Sequence, residues 1–278
     1  MASINTNVAS MTALQTLKSV QSSLTDTQTR VSTGFKVNNA KDHAAYFSIA
    51  TTMRGDSAAF NAISENLSIA GSSVAVARAG VEEVGELAKQ ILERVSFAQA
   101  GDSVDRNLIQ NEVDDLLGQI DTVLSQSSYN GQNLLDGTDP VTVVTGVTRD
   151  GGTFATTSFT FNEVDMGAIR TALETAVTGL AGMDAAGLDG AMTAVEAQIS
   201  AITDASAAFG LVERRIDQQQ DFVSKLVDKF DQGVGALVDA DMNKEAARLS
   251  ALQVQEQLAT QALSIANQAP QSILSLFR

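Results

Sequence analysis

The chain has 278 residues, with 33 acidic against 18 basic side chains and a formal net charge of −15. That balance argues against binding nucleic acid or an anionic membrane surface, both of which need basic patches. The absence of cysteine excludes a disulfide framework, a thiolate zinc site and a cysteine nucleophile.

Residues 1–33 read as an amphipathic helix with Ile4, Val8, Met11, Leu14, Leu17, Val20, Leu24 and Val31 on one face. The opposite face is Ser, Thr, Asn and Gln, with only Lys18, Asp26 and Arg30 charged. Such a segment cannot bury its stripe alone and is expected to order only with a partner. Gly34 is the expected C-cap. The stretch has no basic n-region and no apolar h-region, so no cleaved signal peptide is expected.

Residues 35–57 read as a loop and a short helix, with Asn38 and Asn39 in a turn and Asp42 capping a helix over 43–53. A long helix follows. Ile63, Leu67, Ala70, Val74, Ala77, Val81, Val84, Ala88, Ile91, Val95 and Ala98 recur at spacings of 4 and 3, a heptad seam. Asp56 or Ser57 is its expected cap and Gly101 its expected end. A third, antiparallel helix carries Ile109, Val113, Leu116, Ile120 and Val123, with Asp105 a candidate cap. It ends near Ser127, before a turn at Tyr129-Asn130-Gly131.

From 136 the pattern changes. The β-branched runs 141–148 and 153–161 flank Asp150-Gly151-Gly152, which predicts a hairpin. Residues 168–187 are rich in Ala, Gly and Thr and read as weakly helical, and 137–187 is expected to be the part least tied to the core. The heptad returns from Leu188 through Met192, Val195, Ile199, Ile202, Phe209, Val212, Ile216, Val223, Leu226 and Phe230, with a phase slip expected at 206–212. Gly233 and Gly235 are expected to loosen its end. Residues 244–278 form another low-charge amphipathic segment, with Leu252, Ala259, Ala262, Ile265 and Ala266 on one face and Pro270 expected to stop the helix.

The fold class is therefore mainly α, a long antiparallel coiled-coil or helical-bundle rod with a small β-hairpin region. Three divisions follow: terminal coiled-coil helices at 1–35 and 244–278, a helical rod domain at 36–136 and 188–243, and a variable outer segment at 137–187. Two neutral amphipathic ends that both need partners suit each other, and their uncharged outer faces let many copies pack, the physical logic of a self-assembling tube.

No catalytic constellation emerges. The carboxylates fall off the seams, where a solvated face explains them, and no nucleophile-elbow, zinc-binding or phosphate-loop pattern occurs. His43 is the lone histidine, so no metal site and no cofactor are expected. No apolar run is long enough to span a membrane. Asn66-Leu67-Ser68 matches a glycosylation triplet but lies mid-helix.

The motifs resemble bacterial flagellins. The run Arg30-Val31-Ser32-Thr33-Gly34-Phe35-Lys36-Val37-Asn38-Asn39-Ala40-Lys41-Asp42-His43-Ala44-Ala45, with Ile49-Ala50 after it, is similar to that family's N-terminal signature. Ala266-Asn267-Gln268-Ala269-Pro270-Gln271-Ser272-Ile273-Leu274-Ser275-Leu276-Phe277-Arg278 is similar to its C-terminal ending, and Tyr129-Asn130-Gly131 with Leu134-Leu135 to its central turn. The likeness covers about 1–136 and 188–278.

The resemblance implies a structural subunit, not an enzyme, that polymerises into the extracellular flagellar filament used for swimming; a hook–filament junction-type protein of related build is the alternative. It implies terminal helices paired around a channel, export as an unfolded chain through the flagellar apparatus, and partners comprising itself, sister flagellins, an export chaperone, and cap and junction proteins. The assembly interface it points to comprises Ile4, Val8, Leu14, Leu17, Leu24, Arg30, Asn38, Lys41, Asp42, Arg54, Leu258, Ile265, Leu274, Leu276 and Arg278. The segment Gln90-Ile91-Leu92-Glu93-Arg94-Val95-Ser96-Phe97 departs from the R-x-R-E-L-type pattern of flagellins sensed by the animal innate immune receptor, which argues against such sensing. The Ser/Thr-rich stretch 153–160 offers sites for O-linked sugars, as in some relatives.

Overall fold

The computed structural model describes residues 7–99, 103–150 and 153–276. Among them run helices α1 (Val8–Thr33), α2 (Ala44–Ala98), α3 (Ser103–Gln126), α4 (Met166–Val177), α5 (Ala185–Val238) and α6 (Met242–Leu276). The strands are β1 (Ser128–Tyr129), β2 (Gln132–Asn133), β3 (Pro140–Asp150) and β4 (Thr153–Asn162), with a 3-10 turn at Leu180–Gly182. The mainly helical class expected from periodicity holds. The chain divides into two compact units, one of Met1–Ser57 with Asp228–Arg278, the other Ala58–Val227.

In the first unit α1 and α6 pack antiparallel. Ser10 Oγ donates to Asn267 Oδ1 (2.6 Å) near one end, and Arg30 meets Glu245 (3.5 Å) near the other. Gly34 ends α1 in the left-handed conformation (φ 76°), where glycine avoids the Cβ penalty. The chain then bridges back: Lys36 N donates to Val238 O (2.7 Å) and Ala240 N to Gly34 O (2.8 Å). Beneath this bridge a small core forms from Val37, Ala50, Val234 and Val238, flanked by Phe35, Phe47 and Met53.

Several sequence expectations change here. The short helix at 43–53 and the long helix are one element, α2, with no break at Asp56 or Ser57. Ser57 is buried and its Oγ donates to Asp231 Oδ1 (3.0 Å), so its hydroxyl serves a tertiary bond instead of a cap. Gly55 costs the helix about 1 kcal/mol of propensity, which the length of the seam outweighs. Asp42 turns away from α2, its Oδ2 accepting from Asn38 N (3.0 Å) and Asn39 N (3.1 Å). His43 takes the capping place, with Nδ1 accepting from Tyr46 N (3.3 Å) and its ring stacked on Tyr46.

Gly233 and Gly235 do not loosen α5, which continues to Val238. A Cβ on Gly233 would lie 2.7 Å from Met53 Cε, the movable end of a side chain that flanks the small core. Nor does Pro270 stop α6, which runs on to Leu276. The bond that proline cannot donate is replaced at its i−4 carbonyl, as described below.

In the second unit the α2 seam is buried throughout except for Ala70, which is half-buried. Its partner is the antiparallel α5, joined by Arg78 Nε to Glu213 Oε2 (2.8 Å) and Gln99 Nε2 to Asp189 Oδ1. The phase slip expected in α5 is absent. Ile202, Ala205, Phe209, Val212 and Ile216 keep the 3,4 alternation, and Ala205 is the buried position that larger neighbours obscured. On the remaining side α3 contributes Val113, Leu116, Leu117 and Ile120. It starts at Ser103, so Asp105 lies in its first turn instead of capping it. The expected end of α2 at Gly101 lies outside the described residues.

The turn at Asn130-Gly131 joins β1 to β2 with both residues at positive φ (50° and 81°), the type I′ geometry. The predicted second hairpin is β3–β4, antiparallel with a bulge between Val144 and Gly146. Its Gly151-Gly152 tip lies outside the described residues. Gln219 Nε2 donates to Thr145 O (2.7 Å) and Arg215 sits over the Phe159 ring (4.2 Å), tying the hairpin to α5.

Residues 163–187 are better anchored than their composition suggests. Asp165 caps α4 by accepting from Ala168 N (2.8 Å). Met166, Leu173, Val177 and Leu180 are fully buried, and α4 packs on α3. Gln110 Oε1 accepts from the backbone of Gly179 and Leu180, while Arg170 pairs with Asp121 and Glu174. Met166, Ile169, Leu173, Val177 and Leu180 recur at spacings of 3, 4, 4 and 3, a one-sided stripe diluted by the Ala, Gly and Thr around it.

Candidate assembly interface

The α1–α6 pair has two seams. The inner one is a heptad on each helix. On α1, Ser10, Ala13, Leu17, Val20, Leu24, Thr27 and Val31 are buried or half-buried. On α6, Glu245, Leu249, Leu252, Glu256, Ala259, Leu263 and Ala266 are the same. Both rows step by 3 and 4, and the antiparallel pairing follows from their meeting face to face. Thr27 and Glu245 are buried polar members, and Ser10, Ala13 and Ala259 are small, so this seam buries little apolar area.

The second seam faces solvent. Val8, Met11 and Leu14 on α1, and Val254, Leu258 and Ile265 on α6, are all exposed, Ile265 by 69%. Val254, Leu258 and Ile265 are spaced 4 and 7, again a heptad row. Glu256 is the only charged side chain between Leu249 and Gln268. The sequence pattern puts Ala262 and Ile265 with Leu252 on one face. In the structure Leu252 faces α1 while Ala262 and Ile265 face outward.

The ends of the pair are fixed by polar bonds. Arg30 lies in the last turn of α1 and Glu245 in the first turn of α6, each charge matched to its helix dipole. Their side chains approach to 3.5 Å, with Glu245 nearly enclosed and its Oε2 without a hydrogen-bond partner. At the other end Asn7 Oδ1 accepts from Ser10 N (3.1 Å), capping α1, while Asn7 Nδ2 donates to Ala266 O (2.7 Å). Neither Asn7 nor Glu245 was singled out from sequence. Asn before an apolar run is a capping signal, and an acid in a first turn a dipole signal.

The loop between α1 and α2 gathers the other expected interface residues. Asn38, Lys41 and Asp42 are exposed within it. Hydrogen bonds from Asn38 N and Asn39 N, then the positive charges of Arg30 and Lys41, hold the Asp42 carboxyl below its ordinary range. Arg54 is exposed and stacks over the Phe35 ring (4.9 Å). Of the remaining expected residues, Val8, Leu14, Leu258 and Ile265 lie on the outward seam, and Leu17 and Leu24 on the inward one. Leu274 and Leu276 fall in the last turns of α6. Ile4 and Arg278 lie outside the described residues.

Among the described residues no cluster of three or more His, Cys, Asp or Glu could hold a metal ion. No helix among them is long and apolar enough to cross a membrane. What the geometry offers is surface for helix-on-helix contact.

Comparison with known proteins gives the family. The bacterial flagellin N-terminal helical region matches residues 4–139, and the bacterial flagellin C-terminal helical region matches 192–277. A flagellin of Brucella melitensis is 40% identical over the full length of both chains. Flagellin FljK of Caulobacter vibrioides is 34% identical, covering 99% of this chain and 98% of its own. The fold is also similar to that of a putative flagellar hook-associated protein from Vibrio parahaemolyticus, with a TM-score of 0.54, 12% identity, and coverage of 72% of this chain and 99% of that one. An uncharged, outward helical seam and full-length kinship lead to one conclusion: the chain belongs to the bacterial flagellins, the structural subunits of the extracellular flagellar filament.

Proposed function

We propose that the outward seam of the α1–α6 pair is the innermost contact of the filament. Val8, Met11, Leu14, Val254, Leu258 and Ile265 of one subunit pack against the same rows on its neighbours, with Ile4, Leu274, Leu276 and Arg278 extending the contact at the ends. The exposed heptad spacing carries this reading, because a stripe that already pairs once and repeats on a second face builds bundles of more than two helices. The low charge of these helices supports it as well. Subunits of charge −15 repel one another, and close packing is least costly where neither surface carries charge.

On this reading the terminal divisions 1–35 and 244–278 line a channel. The helices of 36–136 and 188–243 form the surrounding wall, and 137–187 supplies the outer segment. Asn38, Lys41, Asp42 and Arg54 contribute polar contacts between subunits. The chain performs no catalysis. It reaches the growing tip unfolded and without a cleaved signal, through the flagellar export apparatus. A chaperone attends the C-terminal segment beforehand, and cap and junction proteins contact the finished ends.

The test is negative-stain electron microscopy before and after a cycle of heat depolymerisation and regrowth. Filaments that melt to monomers and regrow are expected. Monomers or short rings alone, even with seeds added, overturn the proposal.

A further inference from the structure

The chain has no cysteine and no tryptophan, so its 7 methionines carry all of its sulfur and are its most readily oxidised side chains. Their surroundings differ. Met166 is fully enclosed, and Met53, Met183 and Met192 are half-buried. Met1 lies outside the described residues. Among the described methionines only Met11 and Met242 are exposed, by 64% and 45%.

These two stand in opposite settings. Met242 opens α6 between Asp241 and Asn243, with Lys244 next, where an added oxygen meets polar neighbours and water. Met11 lies on the outward seam, one helical turn from Val8 and one from Leu14. An unbranched thioether suits an apolar contact because it adapts to its partner's shape. The hydroxyls on either side of it are committed: Ser10 Oγ donates to Asn267 Oδ1 (2.6 Å) and Thr12 Oγ1 to Val8 O (3.0 Å). Neither is free to donate to a new oxygen on the sulfur.

We propose that Met11 is an oxidation site at which a peroxide-class oxidant blocks assembly of the chain. The inference rests on the outward-seam reading above and adds a chemical control of that seam. A sulfur lone pair of Met11 attacks one peroxide oxygen. The O–O bond breaks, an S–O bond forms, and the second oxygen leaves as water; the thioether is oxidised and the peroxide reduced. The sulfoxide puts a polar oxygen between Val8 and Leu14, and a subunit contact made over it strips that oxygen of water. In a built filament the same contact shields the sulfur. Oxidation therefore arrests growth without dissolving what has formed, and methionine sulfoxide reductase reverses it.

Hydrogen peroxide is applied to wild-type and Met11→Leu monomers until peptide mass spectrometry shows the wild-type Met11 fully converted. Seeded assembly is then followed by sedimentation, with circular dichroism of the monomer. Both treated chains carry the same sulfoxides elsewhere, so their difference isolates Met11. Treated wild type is expected to keep its helicity and to need about tenfold or more protein to polymerise, the order expected for one buried unpaired polar group. Treated Met11→Leu is expected to assemble as untreated chain does. Normal assembly of wild type carrying Met11 sulfoxide, or equal failure of treated Met11→Leu, overturns the site and leaves the filament reading intact. Should untreated Met11→Leu fail to assemble, two other readouts decide. Met11→Gln, which carries a polar amide without any oxidant, is expected to raise the protein requirement similarly, and Met11 in wild-type filaments to oxidise about tenfold more slowly than in monomers. Wild-type behaviour of Met11→Gln, or equal oxidation rates in filament and monomer, overturns the site. An untreated wild-type chain that never polymerises, even with seeds, overturns the filament reading, and this control falls with it.

Discussion

Asn7 Nδ2 donates to the carbonyl oxygen of Ala266 across the α1–α6 pair, at 2.7 Å. Ala266 is four residues before Pro270, which has no N–H to complete the helical bond at that carbonyl. The same side chain caps α1 through its Oδ1. One asparagine thus satisfies an orphan amide at the start of α1 and an orphan carbonyl inside α6. This explains how α6 passes a proline that its sequence marks as a stop.

The two halves of that side chain are separable. Asn7→Asp keeps the cap acceptor and loses the donor. Asn7→Ala loses both, with about 1 kcal/mol expected for the cap alone. Hydrogen exchange should show Asn7→Asp loosening α6 around residue 266 while the first turn of α1 stays protected. Asn7→Ala should loosen both. Equal protection at 266 in wild type and Asn7→Asp would remove the bond from the account.

The loop before α2 should respond to acid. The Asp42 carboxyl is held below its ordinary range by the amides of Asn38 and Asn39, so its charged form favours the folded loop. A depressed carboxyl contributes stability above its unfolded pKa and loses it as pH falls through the folded value. The Asn38 and Asn39 amide resonances should therefore hold steady above about pH 4, near the reference carboxylate value, and shift together below it. Asp42→Ala should abolish that shift and leave both amides at solvent-exposed positions at neutral pH. An unchanged titration in Asp42→Ala would assign the effect to another acid.

Two glycines predict opposite signs. A Cβ on Gly80 would lie 2.9 Å from Ser127 Cβ and closer still to Ser127 Oγ, whereas one on Gly118 meets nothing within 4 Å. Gly118→Ala in α3 should stabilise by about 0.5–1 kcal/mol through helix propensity. Gly80→Ala should destabilise by roughly 1–3 kcal/mol, because overpacking exceeds the same propensity gain. Chemical denaturation midpoints of the two variants decide this, and a stabilised Gly80→Ala would mean that the Ser127 turn yields freely.

The sequence made some features plain and hid others for physical reasons. The α2 seam from Ile63 to Ala98 is legible because one face stays apolar through many turns, and burial follows it. Ala205 was missed in α5 because alanine carries little hydrophobic signal, although close helix approach makes it a seam residue. The α4 region reads as weak because Ala, Gly and Thr dilute it, although Ile169, Leu173, Val177 and Leu180 share one face. At the interface, the stripes of α1 and α6 were visible, but their division into an inward and an outward seam was not. Val8 and Leu17 look alike in sequence, and only the pairing with α6 separates the exposed from the buried. Asn7 and Glu245 became meaningful only once α6 lay beside α1.

On the proposed reading the outward seam drives assembly while the inward seam holds the subunit's own pair. The most direct measurement is sedimentation of Leu258→Asp and Ile265→Asp chains under assembly conditions, with far-ultraviolet circular dichroism of the supernatant. Both side chains are exposed, so wild-type monomer helicity is expected, with filament yield reduced to near zero. Normal filaments from either variant, or loss of helicity in the monomer, would contradict the division into two seams.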